Sequence, residues 1–124
     1  MNVDKEQTAL FKELGVFFAF SKLQFNEGKK EGVKYINMGS GMLCPKPNVE
    51  RLINELHSIY VEGAKRDIAK NGREGVIRYE LNNHEALYTY DIDSTVDALE
   101  VYDISRSEIQ EVFNVMAKEV EVTQ

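Results

Sequence analysis

The sequence predicts a mainly α (α+β) domain of about four to five helices with one small β-hairpin, and three observations carry that expectation. Apolar residues recur at steps of three and four in several separate runs, which is the signature of amphipathic helices. Only one stretch, near residues 33–44, combines β-branched and aromatic residues with flanking glycine and proline. No internal repeat, low-complexity segment or long linker interrupts the 124 residues, so 1–124 reads as a single compact domain large enough to bury a core.

Asp4, with Gln7 three positions on, forms a capping-box pattern for a first helix. Its stripe is Leu10, Phe11, Leu14, Phe17, Phe18 and Phe25, and the helix is expected to run to about Gly28. Gly15 inside it costs roughly 1 kcal/mol against alanine and implies close packing against another backbone. Val33–Met38, Gly39-Ser40-Gly41 and Met42-Leu43-Cys44 then read as a short hairpin, ended by Pro45-Lys46-Pro47. Pro47 suits the first turn of a second helix, whose stripe is Val49, Leu52, Ile53, Leu56, Tyr60, Ala64 and Ile68, closed by Asn71-Gly72.

From Gly75 two patterns compete. Ile77, Leu81, His84 and Tyr88 share a helical face, while Ile77, Tyr79 and Leu81 also alternate as a strand that Asn82-Asn83 would turn. Persistent Glu, Leu and Ala favour helix through about Glu85. Asp93 or Ser94 is expected to cap a short helix through Glu100. Ser105 opens the last helix, with Glu108 as box partner and Ile109, Val112, Phe113, Met116 and Val120 as its stripe.

The composition, 43% hydrophobic and 29% charged, is that of a folded globular chain rather than a disordered one. The longest apolar run, Leu14 to Phe20, is far short of the roughly 20 residues a membrane span needs. The polar, acidic start Met-Asn-Val-Asp-Lys-Glu is no secretory signal. One cysteine, Cys44, excludes an internal disulfide, and together these features imply a cytoplasmic protein.

The net charge of −6 is uneven: residues 85–124 hold Arg106 and Lys118 against ten acids. Such a field disfavours general nucleic-acid binding and favours basic partners, although a local basic patch elsewhere remains open. Asp97, Glu100, Asp103, Glu108 and Glu111 are spaced to form an acidic face able to mimic the phosphates of DNA; otherwise they are a solvated helix surface.

The best chemical candidate is His84-Glu85 with Asp91 and Asp93, because imidazole and carboxylates serve as metal ligands or as base and acid. A zinc-type HExxH would need histidine where Tyr88 stands. The structural alternative is that Asn83, His84 and Glu85 satisfy backbone groups at a helix end. Gly39-Ser40-Gly41 lacks the patterns of a phosphate loop and reads as a turn. Cys44 reads as structural, His57 as a boundary or surface residue. Phe17, Phe18, Phe20 and Phe25 read as core at helical spacing, but Phe17, Phe18 and Phe20 cannot all face one way, so the alternative is an aromatic contact surface or an oligomer through the first helix.

Tyr79-Glu80-Leu81, Asn83-His84-Glu85-Ala86, Tyr88-Thr89 and Asp91, followed by a short Asp/Ala/Leu helix, resembles a motif of small uncharacterised proteins encoded by bacteriophages, prophages and the bacteria that carry them. Phe17–Ser21 with Gln24-Phe25, and Cys44-Pro45, resemble the closer members; Ala86 stands where the wider group more often has tyrosine. The resemblance implies a phage-type cytoplasmic accessory protein and no particular reaction. The functional expectation is a non-enzymatic protein-binding module, in its sharpest form an acidic inhibitor of a host nucleic-acid-handling or defence protein. Asn83, His84, Glu85, Tyr88, Asp91, Glu100, Glu108 and Glu111 are its candidate binding residues, with no cofactor and no assigned metal ligands. The alternative is a small metal-dependent or acid–base enzyme using His84, Glu85 and Asp91.

Overall fold

The computed structural model describes the backbone of residues 1–123 and the side chains of 1–121. Its elements are α1 (Asp4–Leu14), β1 (Phe17–Phe18), α2 (Lys22–Gly28), β2 (Tyr35–Gly39), β3 (Met42–Pro45), α3 (Val49–Asn71), α4 (Arg73–Asn83), α5 (Ala86–Thr89), α6 (Asp93–Ala98) and α7 (Arg106–Thr123). The mainly α class with a small β element is therefore the observed one, with more helices than the four to five expected. Contacts group residues 2–60 into one compact unit and Met1 with residues 61–124 into another, the residues of α3 being shared between them.

In residues 2–60 the expected first helix does not reach Gly28. Gly15 ends it at Leu14, adopting φ +75° and donating its N–H to the Phe11 carbonyl. A left-handed residue at this position stops a helix, and glycine takes that conformation without a Cβ penalty. Phe17 and Phe18 then pair antiparallel with Leu43 and Met42, making a three-stranded sheet in the order β1-β3-β2. α2 restarts behind Ser21, whose Oγ accepts from the Gln24 N–H at 3.1 Å. The Asp4 cap is also corrected. Val3 occupies the cap position, Asn2 Oδ1 accepts from the Asp4 N–H at 3.1 Å, and the Gln7 side chain donates to Tyr60 Oη instead of boxing the helix.

The hairpin is present. Ser40 and Gly41, both at positive φ, turn β2 into β3, with a register shift between Asn37 and Gly39. Leu10, Leu14, Cys44 and Leu52 form the buried cluster of this unit. Ile53, expected on the buried stripe of α3, is exposed.

In residues 61–124 the helical reading of the ambiguous stretch holds, but the helix starts at Arg73 and stops at Asn83. Val76, Ile77 and Leu81 of α4 pack with Leu99, Tyr102, Ile109, Phe113 and Met116 in the second cluster. Val120, expected on this stripe, is exposed. Ile92, not Asp93 or Ser94, holds the cap position of α6, and Asp91 Oδ1 accepts from the Asp93 N–H at 2.9 Å. α6 ends at Ala98, and a 3₁₀ turn over Glu100–Tyr102 follows. Ser105 caps α7 as expected, accepting from the Glu108 N–H at 3.2 Å, but the Glu108 carboxylate bonds to Arg73 instead of closing the expected box; such a cap is worth about 1 kcal/mol.

Candidate functional site

The stretch after α4 is built by two residues in an unusual backbone conformation. Glu85 (φ 56°, ψ 33°) and Tyr90 (φ 59°, ψ 25°) are both left-handed without being glycine, and they flank the four residues of α5. Each such residue costs roughly 1 kcal/mol or more and persists only where surrounding contacts fix it. The contacts are visible. Ala86 is fully buried, Glu85 O accepts the N–H groups of Tyr88 and Thr89, and Thr89 Oγ1 accepts from the Asp91 N–H at 3.2 Å.

The consequence falls on the tyrosines. A continuous helix would have placed Tyr88 on the face of Ile77 and Leu81, but the left-handed turn at Glu85 redirects the chain. Tyr88 is 88% exposed and Tyr90 79% exposed. Tyr90 touches Phe113 edge-on at 6.2 Å between ring centroids. Glu85 and Tyr88 share with Asn82 and Leu87 a shallow cleft of about 270 Å³.

His84 lies at the end of α4, half-buried, its Nε2 at 3.1 Å from Glu80 Oε2. Glu80, one turn earlier on the same helix, lies in the quoted motif but not among the candidate binding residues; the i,i+4 spacing to His84 is the signal for the pair. The Glu80 backbone carbonyl also accepts from the fully buried Thr95 Oγ1 at 3.3 Å, which ties α6 to α4. Asn83 is exposed, and the Asp91 carboxylate is occupied with the α6 amide. His57 is exposed on α3. Among the described residues no group of three or more His, Cys, Asp or Glu is placed to hold a metal ion. Burial pushes the Cys44 thiol up, as suits a packed rather than a reactive cysteine.

The carboxylates of residues 61–124 include paired and unpaired ones. Glu108 is gripped by Arg73, Glu119 by Arg78 and Asp93 by Arg106. Glu100 and Glu111 are exposed, and no ion pair of theirs is seen among the described residues. Residues 61–124 as a whole carry seven Lys and Arg against fourteen Asp and Glu. No described helix is long and apolar enough to cross a membrane.

The chain belongs to a family of unknown function (DUF7659), whose sequence profile matches residues 1–122. No curated protein and no solved structure gives a significant match to it.

Proposed function

We propose that this member of the DUF7659 family is a non-enzymatic accessory protein that binds a protein partner through the tyrosine-and-carboxylate surface of residues 83–91. The observation that carries this reading is the pair of outward-facing rings of Tyr88 and Tyr90, fixed by left-handed residues at both ends of α5. Tyrosine offers large apolar area with a polar tip and loses little side-chain entropy on binding, which is why it recurs at interface hot spots. Left-handed residues held at both ends of α5 keep the two rings in a fixed presentation, which supports a preorganised contact surface.

Glu85 and Asp91 are exposed on this stretch, and Glu100 and Glu111 add exposed negative charge elsewhere in residues 61–124, so the favoured partner is basic. A host protein that handles nucleic acid or acts in defence is the sharpest form of it, with the protein phage-encoded and working in the host cytoplasm. The His84–Glu80 pair belongs to this surface as a fixed edge rather than as a base and its orienting carboxylate.

Affinity capture from host lysate tests the reading, run at low and at roughly physiological salt with wild type and Tyr88→Ala. Tyr88 is so exposed that its removal leaves the fold intact, which a circular-dichroism melt verifies. A stoichiometric partner that weakens with salt and is lost with Tyr88→Ala is expected. A partner held equally by the variant overturns the assignment, and so does the absence of any partner at both salts.

A further inference from the structure

The unit of residues 2–60 contains an open groove of about 1020 Å³ between the C-terminal end of α1, the loop from Gly28 to Lys34, and the turn after β3. Four lysines line it, Lys12, Lys30, Lys34 and Lys46, together with one acid, Glu13. That acid is already neutralised, its Oε1 lying 2.7 Å from Arg51 Nη2. Among the described residues none of the four lysine ammonium groups has an ion-pair partner. The walls between them are apolar and aromatic, formed by Phe11, Val16, Phe17, Val33, Tyr35 and Pro45.

The groove is built rather than incidental. Lys46 N–H donates to Lys34 O at 2.8 Å and Lys30 N–H to Tyr35 Oη at 3.1 Å, so the backbone at three of the lysines is tied. Asn48 Nδ2 donates to Leu14 O at 2.8 Å across the floor. A Cβ on Gly15 would stand 3.3 Å from Pro45 Cγ, so the bare glycine is what lets the α1 turn approach β3. Four cations around one groove, with its single acid already paired, leave it a positively charged lining to which an anion is attracted.

We infer that this groove binds a small polyanion with a flat apolar body, of the chemical class of nucleoside di- and triphosphates. Charge complementarity selects the class: four mobile point cations match a compact cluster of phosphate charges better than a single carboxylate. The apolar walls add area that inorganic phosphate cannot use, and the volume suits a drug-sized ligand. The lysines come from separate places in the sequence, so charge counting along the chain showed no patch.

Isothermal titration of the full chain with ATP tests this, with adenosine, inorganic triphosphate and a single-stranded oligonucleotide as comparison ligands. ATP is expected to bind more tightly than adenosine or triphosphate. Its Kd should rise about tenfold or more in Lys34→Glu/Lys46→Glu and several-fold between ~50 and ~300 mM salt. All four lysines are exposed, so these variants should keep their fold; Lys12→Gln/Lys34→Gln gives a milder second reading. No heat with ATP up to millimolar concentration overturns the proposal, as does an unchanged Kd in both variants. An oligonucleotide that binds through the same lysines at least as tightly per site as ATP overturns the small-molecule assignment in favour of a nucleic-acid surface. Tyr88→Ala should leave the ATP titration unchanged, which separates this groove from the partner surface.

Discussion

Arg73 holds Glu108 through two hydrogen bonds, Nε to Oε2 at 2.9 Å and Nη2 to Oε1 at 2.7 Å. The same Nη2 donates to the Asp103 carbonyl at 3.1 Å, so one guanidinium joins the start of α4 to the first turn of α7 and the bend before it. The bond from Arg73 holds the Glu108 carboxyl below the usual carboxylate range. One carboxylate expected on an acidic face is thus a fastening of the fold.

Charge reversal across that face should therefore have two different effects. Glu108→Lys places a cation against Arg73 and is expected to cost about 1 kcal/mol, a value kept low because the pair is partly solvated. Glu100→Lys and Glu111→Lys should change stability by less than about 0.5 kcal/mol while weakening any basic partner. Thermal melts of the three single variants check the first statement. Equal destabilisation by all three would refute the division into paired and unpaired carboxylates.

Tyr102 Oη donates to Asp67 Oδ2 at 2.6 Å, and Asn71 Nδ2 to Oδ1 at 2.7 Å. Burial alone would push the Asp67 carboxyl up; these two bonds, with the Met1 amino group at 3.5 Å, outweigh it and leave the carboxyl below its ordinary value. A carboxyl depressed in the folded state stabilises the fold at pH above its unfolded value, and that contribution is lost as pH falls through the depressed one. Wild type should therefore lose stability as the solution is acidified below about pH 4. Asp67→Asn should melt lower at neutral pH and show a flatter acid limb. Tyr102→Phe removes one bond to a charged acceptor and should cost about 1.5–3 kcal/mol at neutral pH; a wild-type melt for that variant would show the bond to be idle.

Gly41 has φ +80°, and a Cβ there would lie 2.5 Å from Phe20 Cε1. Gly41→Ala should cost about 1–2 kcal/mol from the left-handed backbone and the displaced ring. Ser40, at φ 52°, offers the reverse experiment in the same turn. Ser40→Gly should be neutral or slightly stabilising, since glycine takes the conformation freely. Opposite signs in a denaturant titration are the expected outcome, and a loss of similar size in both variants would contradict the turn geometry.

The helical stripes of α3 and α7, the hairpin turn and the Ser105 cap were legible because each rests on local spacing or on a residue type with one strong conformational preference. The end of α1 was misread for a physical reason. Phe17 and Phe18 continue the helical spacing, and only the strand partner Leu43-Met42, far along the chain, decides that they extend. Tertiary pairing overrode periodicity there. The same holds at Glu85, where nothing in its side chain announces a left-handed backbone. Leu81 was rightly expected to be buried, yet Tyr88, on the same notional face, points outward. Asn83, His84, Glu85, Tyr88 and Asp91 are neighbours in the sequence, whereas the pairing of Glu80 with His84 and the exposure of Tyr90 emerge only once α4 and α5 are placed.

Glu85 links strain to binding most directly. Its φ of 56° carries a backbone cost of roughly 1 kcal/mol that glycine would not incur. The Glu85 side chain is exposed and makes no helix-capping bond, so its loss removes no buried contact. Glu85→Gly should therefore raise stability, offset in part by the greater entropy of the unfolded glycine chain, for a net gain of up to about 0.5 kcal/mol. The same substitution loosens the hinge that presents Tyr88 and removes a carboxylate from the cleft, so partner capture should weaken. A stability gain together with a binding loss is the pattern of strain retained for function. If Glu85→Gly instead destabilises the fold while leaving capture intact, the left-handed turn is held by the glutamate for structural reasons, and the partner surface must be sought elsewhere.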